Sequence, residues 1–550
     1  MEGAVGGAGG QPHGRGDVDA WPSALRRLAD SDAPARLAEP DVPVGLAEPV
    51  RDGGGGVTDL HFEPATRLLA LLDDGQVSSR ELVDLHLQRI EALDPRLHAL
   101  VTVDGDEARR QADERDAARR RGEVRGPLHG LPMTVKDAFA TAGLRTTAGL
   151  EELAEHVPDQ DAAAVARLRA AGAIVVGKTS CPPGVSGQET ANPLVGVTRN
   201  PWDRSRTTGG SSGGAAAALA VGLTPLELGS DLGGSIRQPA AFCGVYGHYP
   251  THGIVPARGH LPAIPPDDLE AQEDLMAVGP MSRAAEDLAL ALDVLAGPDE
   301  LSGRGWRVSL PSSAVDGPAD LRVAVWSDDE DAPVDTAVRD AIDAAGDALA
   351  DAGARVDRRA RPPWRLREAE RVGFDLWVAA SSASLSNEQF EQQRRRAEHA
   401  DADDPGRLAR RARAAAMPHR DWLHLDADRR RLQRGWERLF DRVDVVLCPV
   451  TPVVAYPADT DTEQVDEFDH RVAQTIEVDG RPRPYLDQLV WTTVVGLARL
   501  PSTVVPVGTS PAGLPVGVQV VGRPFADRTT LRVASLLADL TGGFRPPPGF

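Results

Sequence analysis

The chain has 550 residues, 41% of them hydrophobic, and a formal net charge of −22 at pH 7. This length accommodates two or three ordinary domains or one large α/β unit, with ample apolar sequence for a core. The acidic balance argues against a nucleic-acid partner, because phosphate binding needs a basic surface. No run approaches about 18 apolar residues, so no membrane-spanning helix is expected.

The N-terminal segment, residues 1–57, is rich in Gly, Pro and Asp. This composition predicts a flexible extension with one short helix near 21–28. The segment lacks the basic start and apolar core of a secretory signal. The first long helix should begin after Ser78, because Ser78 and Glu81 have the spacing of a capping box. A second helix, of alternating charge, is expected at about 105–122.

Strand-like and helical segments then alternate within one folded domain, which is expected to cover 58–545. The predicted strands are 171–179, 321–326, 443–450, 502–508 and 515–522. The predicted helices are 160–171, 213–222, 283–296 and 335–353. This alternation predicts an α/β fold with a largely parallel or mixed sheet. Residues 360–440 are Arg-rich and helical, and are predicted to be a helical insertion within the same domain.

The segment GAIVVGKT, from Gly172 to Thr179, matches the phosphate-loop pattern. However, the four residues after Gly172 are typical of a strand, and the two prolines of the following SCPPG oppose the helix that a phosphate site needs. Nucleotide binding is therefore not favoured, and Lys178 is expected to be structural. The three cysteines, Cys181, Cys243 and Cys448, are too widely spaced for a disulfide framework or a zinc motif. They are expected to be buried free thiols in a reducing cytoplasm.

The segment GGSSG, 209–213, matches the nucleophile elbow of α/β-hydrolases and nominates Ser211. An elbow follows a buried hydrophobic strand, whereas the preceding NPWDRSRTT is polar and contains Pro201. Such a triad also needs a histidine downstream, and nothing marks His419 or His470 for that role. This interpretation is the less favoured one for Ser211.

A longer segment, 207–247, has two Gly/Ser clusters that bracket a small-residue helix and a short strand. In the second cluster, Gly233 and Gly234 stand before Ser235, where successive glycines let backbone N–H groups converge on one point. That arrangement suits an oxyanion hole for acyl transfer. Core-like sequence flanks the segment on both sides, which favours a functional loop over a linker.

The sequence resembles the amidase signature family, which are serine hydrolases of amides. The matching segments are GPLHGLPMTVKD (126–137), GAIVVGKT (172–179), TRNPWD (198–203), TTGGSSGG (207–214), GSDLGGSIRQPAAFCGVYG (229–247), GPMSRAAEDLALALDVLAGPD (279–299) and GLPVGVQVVGRPF (513–525). Together they span about 60 to 540. The resemblance implies the amidase signature fold, in which helices cover both faces of a large mixed sheet within a single catalytic domain.

The resemblance also implies the site. Ser235 would be the nucleophile, Ser211 a bridging serine and Lys136 the base. Backbone N–H groups of Leu232, Gly233, Gly234 and Ser235 would form the oxyanion hole. The supporting positions would be Gly210, with a cis bond to Ser211, together with Ser212, Asp231 and Arg237. Asp231 and Arg237 are expected either to brace the loop as a buried ion pair or to take part directly in catalysis. Tyr249 stands where the family often has lysine, which affects the pocket wall and not the triad.

Activation of a serine by a lysine is also reasonable on chemical grounds alone. Serine needs a base at neutral pH, and a lysine serves once burial lowers its pKa toward neutrality. Only two of the 60 basic residues are lysines, Lys136 and Lys178. Apolar neighbours surround Lys136 in the sequence, including Val135 and Phe139. Such a reaction requires no metal or cofactor.

The leading functional expectation is a stand-alone amidase for a small or aryl amide, with carbamates, anilides or esters as related substrates. Trp364, Trp377 and Trp422 are candidates for an aromatic pocket. The alternative is the glutaminase subunit of a tRNA-dependent amidotransferase, which works in an obligate complex. The helical insertion and the N-terminal extension argue against that alternative. A cytoplasmic monomer or homodimer is expected.

Overall fold

The computed structural model describes residues 50–51, 57–58, 60–261, 274–401, 404, 406–458, 471 and 474–550. The N-terminal extension and its short predicted helix lie almost entirely outside these ranges. In the described chain, strands β1 to β11 form one mixed sheet. They are Leu100–Val103, Pro132–Lys136, Ile174–Thr179, Leu226–Asp231, Tyr246–Tyr249, Ala277–Ser282, Arg322–Val325, Arg355–Asp357, Val445–Pro449, Ser502–Thr509 and Pro515–Gly522.

The strand order across the sheet is β8-β7-β9-β11-β10-β5-β6-β4-β2-β3-β1. Strand β2 pairs in parallel with both β3 and β4, and β7 pairs in parallel with β8 and β9. The remaining neighbours are antiparallel. Within the described ranges, three small two-stranded ribbons, with strands of two to four residues, lie outside this sheet. The expectation of a mixed α/β fold is confirmed.

Helices pack on both faces of the sheet. The helices α1 to α14 of the described chain are Ala65–Asp73, Ser79–Leu93, Gly105–Arg120, Ala163–Ala170, Gly213–Ala220, Arg237–Cys243, Ala285–Leu295, Thr336–Asp351, Leu366–Ser381, Asn387–His399, Arg407–Ala415, His419–Phe440, Val490–Leu497 and Asp527–Thr541. Adjacent residues Val504 and Val505 of β10 belong to different core clusters. Side chains alternate along a strand, so each face of the sheet has its own helical cover.

The predicted elements agree with the structure to within a few residues. Ser78 caps α2, and the Ser78–Glu81 capping box is present. Strand β3 begins at Ile174, three residues after the predicted start, and β11 has the predicted bounds. None of the helices in the described ranges has the length and apolar character that a membrane crossing needs.

The Arg-rich region 360–440 folds into helices α9 to α12. Leu366, Val372, Trp436 and Phe440 from these helices are buried in the largest core cluster, which also contains residues of the sheet. The region therefore contributes to the same core as the sheet. Its helix α9 also carries Trp377, which lies beside the loop that follows β4.

Candidate active site

Lys136 is the last residue of β2 and lies between β3 and β4, deep in the sheet. Its side chain has no exposed surface. The Nζ atom lies 2.7 Å from Ser211 Oγ, 3.0 Å from Ser230 Oγ and 3.5 Å from the Ser230 carbonyl oxygen. Among the described residues, the amine therefore has three hydrogen-bonding neighbours and no carboxylate in direct contact.

Burial lowers the pKa of Lys136 to about 8, because removal from water disfavours the charged form. The negative potential of Cys181, Asp231 and Glu227 opposes this shift. A substantial fraction of Lys136 is neutral near pH 8, and only a neutral amine accepts a proton.

Ser211 and Ser212 lie in the loop before α5, after a cis bond between Gly210 and Ser211. The Ser212 N–H donates to the Ser235 carbonyl oxygen at 3.1 Å, and Ser212 Oγ donates to the Ser230 carbonyl oxygen at 3.3 Å. These bonds tie the loop that carries Ser211 to the segment that carries Ser235. A side chain on Gly210 would come within 2.8 Å of the Gly187 carbonyl oxygen, which explains the glycine there.

Asp231 ends β4 and organises the turn into α6. Its carboxylate accepts hydrogen bonds from the backbone N–H groups of Gly234 and Ile236, at 2.7 and 3.1 Å. The Arg237 side chain donates two further hydrogen bonds to it, at 2.9 and 2.8 Å, and both side chains are fully buried. Burial alone raises the pKa of Asp231, but the Arg237 charge and these hydrogen bonds hold it below its ordinary value. The pair was expected from the sequence, and the structure contains it.

The bond from Gly234 to Asp231 changes the expected set of oxyanion donors. Because the Gly234 N–H already has a carboxylate acceptor, it is not available to a substrate oxygen. The N–H groups of Leu232, Gly233 and Ser235 make no hydrogen bond to any other described residue. These three remain as candidate donors, and Gly234 instead supplies the turn, with φ at +131°.

Helix α13 supports this turn from the other side. Thr492 Oγ1 donates to the Gly233 carbonyl oxygen at 2.7 Å, and the Thr492 carbonyl oxygen accepts from Arg237 at 2.8 Å. Ser235 is 8% exposed, whereas Lys136 and Ser211 are 0% and 1% exposed. Of these three side chains, Ser235 is therefore the most accessible to an incoming molecule.

Three neighbours of the site, Ser230, His260 and Thr492, are not identified by any sequence motif. Ser230 precedes Asp231 by one residue and so projects to the other side of β4, toward Lys136. His260 Nε2 lies 2.9 Å from Ser230 Oγ, although nothing in ARGHLP distinguishes this histidine. Only the spatial arrangement reveals Ser230, His260 and Thr492 as neighbours of the site.

Lys178 is also fully buried, but it has different partners. It donates hydrogen bonds to the Phe139 carbonyl oxygen and, at 2.8 Å, to Thr141 Oγ1. Burial lowers its pKa to about 8 as well, against the opposing charge of Asp137. Lys178 therefore fixes the segment after β2 and does not contact Ser211.

The three tryptophans that the sequence suggests for an aromatic pocket have different surroundings. Trp364 lies against Trp326 and Trp436, and Trp422 stacks on His419 at 5.9 Å. Only Trp377 of the three candidates approaches the site, with Nε1 3.8 Å from the position that a Gly233 Cβ would take. An aromatic pocket built from all three is therefore wrong, and Trp377 alone is near the predicted oxyanion donors.

Tyr249, the departure from the family pattern, is a buried neighbour of the ion pair. Its ring lies 4.4 Å below the Arg237 guanidinium carbon, and its hydroxyl donates to the Leu275 carbonyl oxygen at 2.7 Å. Tyr249 thus stabilises Arg237 by a cation–π contact. Within the described ranges, no group of three or more His, Cys, Asp or Glu side chains is arranged to hold a metal ion.

Fold and site together define an α/β protein with a buried lysine hydrogen-bonded to a serine. The amidase family model matches residues 81–531, so the chain belongs to the amidase family. A curated relative from Roseiflexus sp. (strain RS-1), which is one of the subunits of glutamyl-tRNA(Gln) amidotransferase, is 36% identical over 488 residues. That alignment covers 85% of this chain and 94% of the relative.

Solved structures give the same family. A chain from the inhibitor-bound form of a vestigial protein complex, described as revealing the evolutionary origins of an s-triazine catabolic enzyme, is 30% identical with a TM-score of 0.73, covering 88% of this chain and 100% of that one. A bacterial aryl acylamidase of the amidase signature family is 26% identical with a TM-score of 0.73, covering 88% of this chain and 96% of that one. The resemblance seen in the sequence is confirmed for both family and fold.

Proposed function

We propose that this chain hydrolyses carboxylic amides through an acyl-enzyme on Ser235. The observation that carries the proposal is the 2.7 Å hydrogen bond between Lys136 Nζ and Ser211 Oγ, made by a fully buried lysine. Family membership supports the same chemistry. A buried base next to a serine is the arrangement that a weak hydroxyl nucleophile needs.

In this mechanism the proton moves along one chain of groups. Neutral Lys136 takes the hydroxyl proton of Ser211, which takes that of Ser235 as Ser235 Oγ attacks the amide carbon. The N–H groups of Leu232, Gly233 and Ser235 stabilise the oxyanion that forms. The proton then returns to the leaving nitrogen, the C–N bond breaks, and water hydrolyses the acyl-enzyme by the same relay.

The surroundings of this site support a small or aryl amide as the substrate. Trp377 offers an aromatic surface beside Gly233, which supports a small or aryl acyl group. The likeness to an aryl acylamidase points the same way. Carbamates, anilides and esters are related candidates, because the acyl-enzyme route accepts all of them.

The second candidate is the glutaminase subunit of a tRNA-dependent amidotransferase, and the curated relatives support it more directly than the first. A helical insertion and an N-terminal extension would distinguish this chain from such a subunit. The alignment weakens that argument, because it spans 94% of the relative and 85% of this chain. This coverage leaves room for an extension but little for an additional insertion.

One experiment separates these candidates. The purified chain is passed through size-exclusion chromatography and assayed on glutamine, a primary aryl amide, an anilide, a carbamate and an ester, with Ser235→Ala as control. Turnover of the aryl amide by the isolated chain supports a stand-alone amidase of one or two subunits. Glutamine turnover that requires an added partner protein supports the glutaminase. Equal turnover by Ser235→Ala would contradict both.

A further inference from the structure

A second hydrogen-bonded branch leads away from Lys136, through Ser230 and not through Ser211. Lys136 Nζ lies 3.0 Å from Ser230 Oγ, and Ser230 Oγ lies 2.9 Å from His260 Nε2. Neither Ser230 nor His260 is needed for the proton path of the proposed mechanism. Ser230 contacts the base directly, and His260 is linked to the base through Ser230.

The donors and acceptors around neutral Lys136 can be counted. A neutral amine has two hydrogens and one lone pair, and within the described part of the chain it has three hydrogen-bonding neighbours. The Ser230 carbonyl oxygen only accepts, so one hydrogen points there. The lone pair then faces either Ser211 Oγ or Ser230 Oγ, depending on where the hydroxyl hydrogen of Ser230 lies.

We propose that His260 is a positioning residue that settles this choice by accepting the hydroxyl hydrogen of Ser230. Ser230 Oγ then only accepts from Lys136, and the second amine hydrogen points to it. The lone pair of Lys136 is left facing Ser211, ready to take its proton. This inference rests on the proposed function, since it assigns a direction to the same relay.

Burial, and then the positive charges nearby, keep His260 neutral. Burial lowers the pKa of His260 to about 3, and the positive charges of Lys136 and Lys178 contribute to the shift. The electrostatic influence of Cys181, Asp231 and Glu227 acts on the pKa of Lys136 in the raising direction. A neutral imidazole has one bare ring nitrogen, and with the hydrogen on Nδ1 that nitrogen is Nε2.

The backbone holds His260 in place. His260 forms an isolated β-bridge with Phe139, which lies three residues after Lys136. The two rings pack edge to face, with their centroids 5.2 Å apart. The adjacent Leu261 N–H donates to the Ala138 carbonyl oxygen, and the Gly259 carbonyl oxygen accepts from the Ala140 N–H at 2.9 Å. The loop that carries His260 is therefore attached to the chain segment that follows the lysine.

The test uses a fluorophosphonate probe, which reacts with an activated serine and needs no knowledge of the substrate. The second-order labelling rate of Ser235 is measured from pH 6 to pH 10 for His260→Leu and His260→Gln. We expect His260→Leu to lower the plateau rate by tenfold or more. His260→Gln should stay within about threefold of the unmodified chain, because its Oε1 can accept from Ser230.

A double-mutant cycle separates positioning from a general loss of structure. His260→Leu should have almost no further effect in a Ser230→Ala background, because Ser230 transmits its influence. His252→Leu, in the same loop but among Arg499, Asp274 and Arg429, serves as the matched control and should label at the normal rate.

Three results would overturn the inference: a normal rate in His260→Leu, equal losses in His260→Leu and His260→Gln, or additive losses with Ser230→Ala. Failure of the unmodified chain to label at Ser235 would instead contradict the proposed function. The two failures are therefore distinguishable.

Discussion

The two lysines of this chain show how residue identity and position combine. Both are fully buried, and burial lowers the pKa of each to about 8. Lys178 belongs to the more familiar sequence pattern, yet its Nζ donates its hydrogen bonds to the segment after β2. Lys136 belongs to no general motif, and its Nζ contacts Ser211. The distinction depends on the strand order, which places β2 against β4.

Replacement of the proposed base gives the first prediction. Lys136→Met should reduce turnover about 100-fold to 10,000-fold, the usual contribution of a general base. Lys136→Arg should be nearly inactive as well, because a guanidinium with a pKa above about 12 does not accept a proton near neutrality. Lys178→Met is the matched control, which should lower the melting temperature while the folded fraction keeps its activity. Activity in Lys136→Arg would show that another group is the base.

The pH dependence gives the second prediction. The lowered pKa of Lys136 means that the reactive, neutral form is lost as pH falls through about 8. The quantity kcat/KM should therefore rise about tenfold per pH unit below pH 8 and level off above it. His260 should add no limb, because it is neutral above about pH 3. A profile that is flat from pH 6 to pH 9 would be inconsistent with Lys136 as the base.

At the scale of elements, the sequence predicts some strands well and leaves others unmarked. Strand β11, PVGVQVVG, is β-branched and bounded by turns, and its bounds are predicted correctly. Strand β6, AVGPMS, has glycine and proline in its interior, which weaken any strand pattern. The glycine is required by packing, since a Cβ on Gly279 would lie 2.1 Å from the His248 carbonyl oxygen. Close backbone approach of this kind is a tertiary property.

The turn between β4 and α6 gives the third prediction. Gly234→Ala should reduce activity at least tenfold and cost about 1–3 kcal/mol of stability, because φ is +131° and the new Cβ would lie 2.8 Å from Thr492 Oγ1. Gly233→Ala is the control for stability, since its Cβ would meet only Trp377 at 3.8 Å. Kinetics and thermal unfolding of both variants provide the check. Equal stability losses would argue against a strained turn at Gly234.

The buried ion pair gives the fourth prediction. Asp231→Asn should destabilise the fold by about 3 kcal/mol or more, because it leaves the Arg237 charge buried without its partner. The control is Asp84→Asn, which breaks bonds to Arg80 and Arg109 at the surface and should cost less than about 1 kcal/mol. Urea unfolding measures both. A small loss for Asp231→Asn would mean that the pair does not brace the turn.

At the scale of the whole molecule, the site is assembled from segments that are distant in the sequence. The sequence predicts a mixed α/β fold and, through the family resemblance, the residues Lys136, Ser211 and Ser235. It does not predict that Gly234 donates to Asp231, because that bond depends on the turn geometry. It also does not predict how α9 packs, which brings Trp377 beside Gly233. Long-range packing of this kind leaves no periodic signal in the chain.

The most direct measurement is peptide mapping by mass spectrometry after labelling with a fluorophosphonate probe. The proposed relay predicts one modified residue, Ser235, in the unmodified chain. It also predicts at least 100-fold slower labelling in Lys136→Met, and no labelling at this site in Ser235→Ala. Modification of Ser211 in place of Ser235, or an unchanged rate in Lys136→Met, would contradict the central claim that Lys136 activates Ser235 through Ser211.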